Sequence, residues 1–188
     1  MDNLLGVILA GGQSLRMGGV DKSTAILGEK RLVDHVLARL SGQVGRVIIS
    51  GSDDYGLPLA TAPDALPGQG PLAGLHGAMV WALENAPQTL GLLCAPVDAP
   101  YLPLDLAARL VGAGPAIAET RAGLQPTFGF WPLSLYEQLD AHLRTDEGGA
   151  LRYFARKTGA RHVVFDDERA FLNINAPDDL MRAQGEAS

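Results

Sequence analysis

The feature that most constrains this chain is a glycine-rich basic loop placed directly after a short apolar run. Residues 4–8 read Leu-Leu-Gly-Val-Ile, and residues 9–22 read Leu-Ala-Gly-Gly-Gln-Ser-Leu-Arg-Met-Gly-Gly-Val-Asp-Lys. A continuous apolar run bounded by glycine predicts a central strand that is covered on both faces. Glycines allow the backbone to approach an oxyanion closely, and Arg16 and Lys22 add positive charge. The segment therefore predicts a phosphate-binding loop at the end of a buried strand.

Two common phosphate loops do not fit this segment. A Walker loop has Gly immediately before Lys-Ser/Thr, whereas Asp21 precedes Lys22 here. The dinucleotide fingerprint spaces its glycines as G-x-G-x-x-G, whereas Gly11 and Gly12 are adjacent and the next glycine is Gly18. An ordinary glycine-rich connection with solvated basic residues is the remaining alternative.

Strand and helix patterns alternate along the rest of the chain. Extended segments are predicted at 4–9, 44–50, 57–62, 89–94, 116–119, 127–131 and 163–165, and helices at 31–40, 71–86, 104–111, 133–143, 151–157 and after Pro177. Such alternation predicts βαβ units with right-handed crossovers, which build a mostly parallel sheet between two helical layers. The expected fold class is therefore α/β, with a three-layer α/β/α, Rossmann-like arrangement. Ligands of such sheets bind beyond the carboxyl ends of the strands.

Length and charge limit the classes of function. The 188 residues suit a single domain spanning 1–188, and a net charge of −6 argues against binding to nucleic acid or to an anionic membrane. The only cysteine, Cys94, lies in the apolar stretch 90–94, which predicts a buried structural thiol in a reducing compartment. The acidic start Met1-Asp2-Asn3 does not resemble an export signal, so a cytoplasmic location is expected.

One carboxylate is placed where a metal is expected. Asp98 lies on the proline-bracketed turn Pro96-Val97-Asp98-Ala99-Pro100, directly after the predicted strand through Cys94. Mg²⁺ prefers hard oxygen ligands and often takes one or two protein carboxylates beside phosphate oxygens. An Asx-turn or a helix cap is the alternative role for this residue.

The loop and four later segments resemble one family over nearly the whole chain. The later segments are Gly70-Pro71-Leu72-Ala73-Gly74, Pro96-Val97-Asp98-Ala99-Pro100, Gln125-Pro126-Thr127-Phe128 and Phe171-Leu172-Asn173-Ile174-Asn175-Ala176-Pro177-Asp178. They resemble nucleotidyltransferases with a GT-A-like fold, and within these the molybdenum cofactor guanylyltransferases. The spelling Leu9-Ala10-Gly11-Gly12 is similar to that of the guanylyltransferases, whereas the cytidylyltransferases of the same cofactor typically carry Leu-Ala-Ala-Gly.

This resemblance implies that GMP is transferred from GTP to the phosphate of molybdopterin with release of pyrophosphate, with Mg²⁺ as cofactor. It implies catalytic roles for Arg16, Lys22 and Asp98, with Asp98 binding Mg²⁺. It also implies a nucleotide and substrate site made of Leu9, Ala10, Gly11, Gly12, Lys22, Ser50, Asp64, Gly74, Asp98 and Asn175. A related cytidylyltransferase, a sugar-phosphate nucleotidyltransferase and a non-catalytic nucleotide or cofactor carrier are the alternative functions.

Asp64 is the strongest candidate for recognition of the base in this reading. A carboxylate can accept hydrogen bonds from both N1 and N2 of guanine, although Pro63-Asp64 also suits a simple turn. Family members use an Asn after the second strand, where Ser50 stands here. Asn173 and Asn175 alternate around Ile174 and belong to an element that resembling proteins use near the pterin. We expect Asn173 to serve stability and Asn175 the site, and a cap for the last helix is the alternative for Asn175.

A basic stripe is predicted near the carboxyl end of the chain. Arg152, Arg156 and Lys157 recur at helical spacing, and Arg161 follows. A solvated helix face is the simpler interpretation. The alternative is docking of a protein that delivers or receives the cofactor, such as another cofactor-biosynthesis protein or a chaperone of a target molybdoenzyme.

Overall fold

A seven-stranded sheet forms the centre of the molecule. The computed structural model describes residues 2–10, 16–17, 20–64, 70–145, 150–174 and 179–180. The sheet strands are β1 (Leu4–Leu9), β6 (Arg46–Ser50), β7 (Ala60–Ala62), β8 (Gly91–Pro96), β9 (Ala116–Thr120), β10 (Gly123–Pro132) and β11 (Arg161–Val164). Two small hairpins precede β6, formed by β2 (Arg16–Met17) with β3 (Val20–Asp21) and by β4 (Ile26–Leu27) with β5 (Lys30–Arg31).

The sheet is parallel except at one strand. Its order is β11-β9-β10-β8-β1-β6-β7, and only β10 runs antiparallel to its neighbours β8 and β9. The cause is the short turn between β9 and β10, since two residues can join only antiparallel strands. That turn ends at Gly123, whose φ of +118° is one that other residues rarely adopt. The prediction of a mostly parallel sheet is confirmed.

Helices cover both faces of the sheet. They are α1 (Leu32–Ser41), α2 (Pro71–Asn85), α3 (Leu106–Leu110), α4 (Tyr136–Leu143) and α5 (Leu151–Lys157). Helices α1 and α3 pack on one face, where Val36 and Leu106 are fully buried, and α2, α4 and α5 pack on the other, where Leu75 and Phe154 are fully buried. This confirms the three-layer α/β/α prediction. It also explains the uninterrupted apolar run of β1, all of whose residues are buried because both faces are covered.

Several boundaries differ from those predicted. Helix α3 is shorter than the predicted 104–111, and β10 begins four residues before the predicted 127. The two hairpins at 16–31 were not predicted, because strands of two residues are too short to show an alternating pattern. Cys94 lies fully buried in β8, as predicted, and burial raises the pKa of its thiol. In the part of the chain that the structure describes, no helix has both the length and the apolar character that crossing a bilayer requires.

Candidate active site

The predicted site residues follow the carboxyl ends of four adjacent parallel strands. Strands β7, β6, β1 and β8 are neighbours in that order, and they are followed by or end in Asp64, Ser50, Ala10 and Asp98 respectively. Neighbouring strands lie about 4.8 Å apart, so the strand ends that carry Asp64 and Asp98 are separated by about 14 Å. One crevice along this edge can therefore reach all four residues.

A buried hydrogen bond fixes the start of the glycine-rich loop. The backbone N–H of Ala10 donates to the hydroxyl of Ser50 at 3.1 Å, and both residues are buried. Gly74 of α2 lies against the same hydroxyl, because a β-carbon at this position would stand 2.8 Å from Ser50 Oγ. Ser50 and Gly74, both predicted to contact nucleotide, thus also hold α2 against the strand ends.

The first two residues of the predicted binding loop belong to the core. Leu9 and Ala10 are 6% and 4% exposed, and their side chains join the apolar clusters on opposite faces of the sheet. The Leu9 carbonyl accepts a hydrogen bond from Val97 N–H at 3.1 Å, which ties the Asp98 turn to the end of β1. Any contact of Leu9 or Ala10 with a ligand must therefore use the backbone.

Asp98 stands on a tight turn that is held by two neighbouring segments. The Ala99 N–H donates to the Pro96 carbonyl at 3.3 Å, and the Ile174 N–H donates to the Asp98 carbonyl at 2.8 Å. The Asp98 residue itself is half-buried. The second hydrogen bond holds the Asn-Ile-Asn element against the Asp98 turn. The sequence predicted only that this element lies near the site, not that it contacts this turn.

Ile174 explains why this element lies where it does. It is 2% exposed and packs with Leu27 and Leu32 in a small apolar cluster beside the site. Asn173 is exposed beside it. The isoleucine between two asparagines was the available sequence signal, because alternation of polar and apolar residues in an extended segment places Ile174 on the side opposite the asparagines.

Asp64 presents a buried acceptor without a partner. Its Oδ1 is inaccessible to solvent and accepts no hydrogen bond from any residue that the structure describes. Burial raises the pKa of this carboxyl above its usual range. The preceding residue is fixed, because the Pro63 carbonyl lies so close to Gly77 of α2 that a β-carbon there would overlap it. Such an acceptor is satisfied by a ligand that brings N–H donors.

Helix α2 begins at the same edge of the sheet. Its N-cap, Gly70, has a φ of +57°, Pro71 occupies the first turn, and no side chain caps the helix. Gly74 lies against Ser50 and Leu9, the last residues of β6 and β1, so this end of the helix faces the crevice. The unpaired N–H groups of a first helical turn favour negative charge.

Other predicted site residues lie partly or wholly outside the structural description. The backbones of Arg16 and Lys22 are described, in β2 and in the short 3-10 helix Lys22–Thr24, but their side chains are not. Gly11, Gly12 and Asn175 lie outside the described residues. The predicted roles of these five residues stay predictions.

Comparison with known proteins shows the family. Residues 6–163 match the profile of the MobA-like NTP transferase domain. The molybdenum cofactor guanylyltransferase of Cereibacter sphaeroides is 44% identical over 188 residues, which cover 96% of this chain and 95% of that protein. The chain belongs to the molybdenum cofactor guanylyltransferase family. The family resemblance inferred from the loop and its companion segments is thus confirmed.

Solved structures of low sequence identity share the fold of this family member. A molybdopterin-guanine dinucleotide biosynthesis protein A from Archaeoglobus fulgidus superposes with a TM-score of 0.71 at 21% identity, covering 98% of each chain. A 4-diphosphocytidyl-2C-methyl-D-erythritol synthase from Anaerococcus prevotii gives 0.73 at 13% identity, covering 98% of this chain and 95% of that one. The fold is therefore common to enzymes whose names refer to different nucleotides.

The arrangement of this family member suits a magnesium ion that is held mainly by substrate. The described residues contain no group of three or more His, Cys, Asp or Glu side chains that could hold a metal. Mg²⁺ needs no such protein cage, because it commonly binds through one carboxylate, phosphate oxygens and water. The half-buried Asp98 at the strand ends fits that mode of binding.

Proposed function

We propose that this chain transfers GMP from GTP to the terminal phosphate of molybdopterin and releases pyrophosphate, with Mg²⁺ as cofactor. The observation that carries the proposal is the buried Oδ1 of Asp64, which has no hydrogen-bond partner among the described residues and lies at the same sheet edge as Asp98. Family membership supports the reaction class, and the relatives' name supports guanine as the base.

In this proposal Asp64 selects the base. Guanine carries donors at N1 and N2, and a carboxylate can accept from both, whereas cytosine and adenine do not offer this donor pair. A buried carboxylate without hydrogen-bond donors costs free energy. Guanine removes this cost because its N1 and N2 hydrogens pair with Asp64, whereas a base without these donors leaves the carboxylate unpaired and binds more weakly.

The phosphates of GTP lie, in this proposal, between the glycine-rich loop and Asp98. Lys22 and Arg16 supply positive charge from the loop, and backbone N–H groups of Gly11 and Gly12 contribute donors. Asp98 holds Mg²⁺, which neutralises phosphate charge when it is bound. Asn175 contacts the pterin substrate, since Ile174 holds its segment against the Asp98 turn.

The reaction requires little chemistry from the protein. An oxygen of the molybdopterin phosphate forms a bond to the α-phosphorus of GTP, the bond to the β-phosphate bridging oxygen breaks, and pyrophosphate leaves with that electron pair. The attacking oxygen is already anionic, so no general base is needed. The residues act by positioning two anions and by neutralising their charge.

Inosine triphosphate provides a sharp test of the Asp64 role, because it differs from GTP only by lacking the 2-amino group. Calorimetry on the intact chain should show GTP binding about tenfold or more tightly than ITP, which matches the loss of a hydrogen bond to a charged group. In Asp64→Asn the GTP affinity should fall and the preference should shrink. Asp166→Asn, which changes an exposed carboxylate, should leave both affinities unchanged. Equal affinities of the unaltered protein for the two nucleotides would refute base selection by Asp64.

Turnover tests the remaining steps. Pyrophosphate should appear from GTP only when molybdopterin is present, and transfer of CMP with no use of GTP would overturn the assignment. Asp98→Asn should lower turnover by about 100-fold or more while the protein stays folded, as for loss of a group that stabilises transition-state charge. A carrier protein would instead keep its function with altered affinity. Lys22→Gln should raise the dissociation constant of GTP, and unchanged binding would remove Lys22 from the phosphate site.

A further inference from the structure

A second cavity lies under helix α5, away from the strand ends that form the candidate active site. Its volume is about 480 Å³, within the range of small-molecule pockets. Its lining is largely apolar and includes Ile117 of β9, Leu124 of β10, Ala155 of α5 and Ala160. Strands β9 and β10 lie on the opposite side of β8 from β1, β6 and β7. The cavity is therefore distinct from the crevice between Asp64 and Asp98.

Two arginines at the mouth of this cavity have side chains without a partner in the described part of the chain. Arg152 and Arg156 of α5 are both exposed, and the guanidinium group of neither forms a hydrogen bond or ion pair with any residue that the structure describes. His162 also lines the cavity, and its Nδ1 lies 3.6 Å from Oε2 of Glu119. The nearby carboxylate of Glu119 is therefore beside this histidine. The mouth thus carries two arginine charges in a chain whose net charge is −6.

The position of Arg152 does not favour the helix, whereas Arg156 lies in the last turn, where a cation suits the helix dipole. Arg152 and Arg156 are four residues apart, where like charges repel each other. Arg152 also lies in the first turn of α5, where a cation opposes the helix dipole. Both effects disfavour the free helix, and an anion bound between the guanidinium groups would relieve both.

The other cations of the predicted basic stripe have different roles. Arg161 donates to the carbonyls of Arg109 and Leu110, which ties β11 to α3. Lys157 Nζ lies 3.5 Å from His142 Nδ1. Neither residue lines the cavity. The stripe is thus divided, and only the pair at the cavity mouth is available to a ligand, which favours a compact site over a broad protein-docking face.

We propose that this cavity binds a small organic anion with an apolar body, whose carboxylate, sulfonate or phosphate group pairs with Arg152 and Arg156. The apolar part occupies the space above Ile117 and Leu124. Guanidinium groups suit such anions because they form bidentate hydrogen bonds. Neither the nucleotide nor its phosphates are needed for this binding.

The test uses 8-anilino-1-naphthalenesulfonate as probe, with the intact chain. We expect saturable binding of one probe per chain that persists at saturating GTP and Mg²⁺. Octanoate should compete with the probe, whereas inorganic phosphate at the same concentration should not, because it lacks an apolar body. Each of Arg152→Gln and Arg156→Gln should weaken binding by up to about fivefold, the upper end for an exposed ion pair.

Two further variants separate this site from general adhesion of the probe. Lys157→Gln removes the same charge from the same helix but not from the cavity, so probe affinity should not change. Ala160→Leu adds bulk to the cavity lining and should reduce binding strongly while GTP affinity and the thermal midpoint are kept. Displacement of the probe by GTP, or an equal loss of affinity in Lys157→Gln and the arginine variants, would overturn the proposal. So would the absence of saturable binding.

Discussion

Replacing Gly74 with alanine should disturb the start of the glycine-rich loop through Ser50. The added methyl group would stand 2.8 Å from Ser50 Oγ and 3.2 Å from Ser50 Cβ, both closer than ordinary contacts. Overpacking of this kind costs about 1–3 kcal/mol. Rotating Ser50 away would instead break its hydrogen bond from Ala10 N–H, at a cost of about 1–3 kcal/mol for the buried donor. The better helix propensity of alanine returns about 1 kcal/mol.

The net destabilisation expected for Gly74→Ala is therefore about 0–2 kcal/mol, after the gain in helix propensity is subtracted from either cost. Urea unfolding followed by circular dichroism measures it, with the free energy obtained by linear extrapolation. Gly42→Ala is the matched control, since its β-carbon would have no neighbour closer than 4.0 Å and its φ of −72° suits alanine. The control should be neutral or stabilised by up to about 1 kcal/mol.

A double-mutant cycle tests whether Ser50 is the cause. Ser50→Ala removes the hydroxyl that the new methyl group would overlap. It also removes the hydrogen bond from Ala10 N–H, which Gly74→Ala would weaken or break. The double variant should therefore be about 1 kcal/mol or more less destabilised than the sum of the single variants. Additivity within about 0.3 kcal/mol would refute this reasoning, because the two residues would then act independently.

Three further outcomes follow from the titratable groups. Asp140 accepts hydrogen bonds from Arg144 Nε at 2.8 Å and from His76 Nε2 at 3.1 Å. The hydrogen bond from Arg144 is the main reason that the pKa of this carboxyl is lowered. The stability that ionised Asp140 contributes is therefore present at neutral pH and is lost as pH falls through the lowered pKa. Asp140→Asn should therefore lower the thermal midpoint at pH 7 but not in strong acid; an equal loss at both would contradict this. Burial instead raises the pKa of the Asp64 carboxyl, so the ligand-free protein becomes less stable as pH rises through the raised pKa. Asparagine does not ionise, so Asp64→Asn should gain thermal stability relative to the unaltered protein as pH is raised from acid to neutral. Cys94 should react with a thiol reagent only after unfolding, since it is fully buried; rapid stoichiometric reaction of the folded protein would contradict the burial.

The layered fold could be predicted because its signals are local and repeated. The apolar run of β1 and the helical spacing of Leu32 and Val36 each reflect burial, and burial decides which faces pack. The antiparallel direction of β10 could not be read in this way. It depends on the two-residue turn before Gly123, whose length decides whether the chain can cross over the sheet.

The candidate site was predictable as a set of strand ends but not as a set of contacts. The rule that ligands bind beyond the carboxyl ends of parallel strands placed Asp64 and Asp98 at one edge. It did not show that Ser50 holds the Ala10 N–H, or that Ile174 joins the Asp98 turn. Both contacts connect residues far apart in sequence, and no periodicity in the sequence encodes such pairs.

With the proposed roles, the arrangement of framework and loop residues along this edge accounts for one fold that serves different nucleotides. A similar fold occurs in the diphosphocytidyl-methylerythritol synthase, so the sheet does not by itself select a base. In this chain the core residues Leu9 and Ala10 and the Ser50–Gly74 contact belong to the framework, whereas Asp64 stands on a loop after the edge strand β7. A loop after an edge strand can change its polar groups without repacking the core. The proposed base contact can therefore vary among relatives of this fold, while the start of the glycine-rich loop and the Asp98 turn are anchored to the central strands β1 and β8.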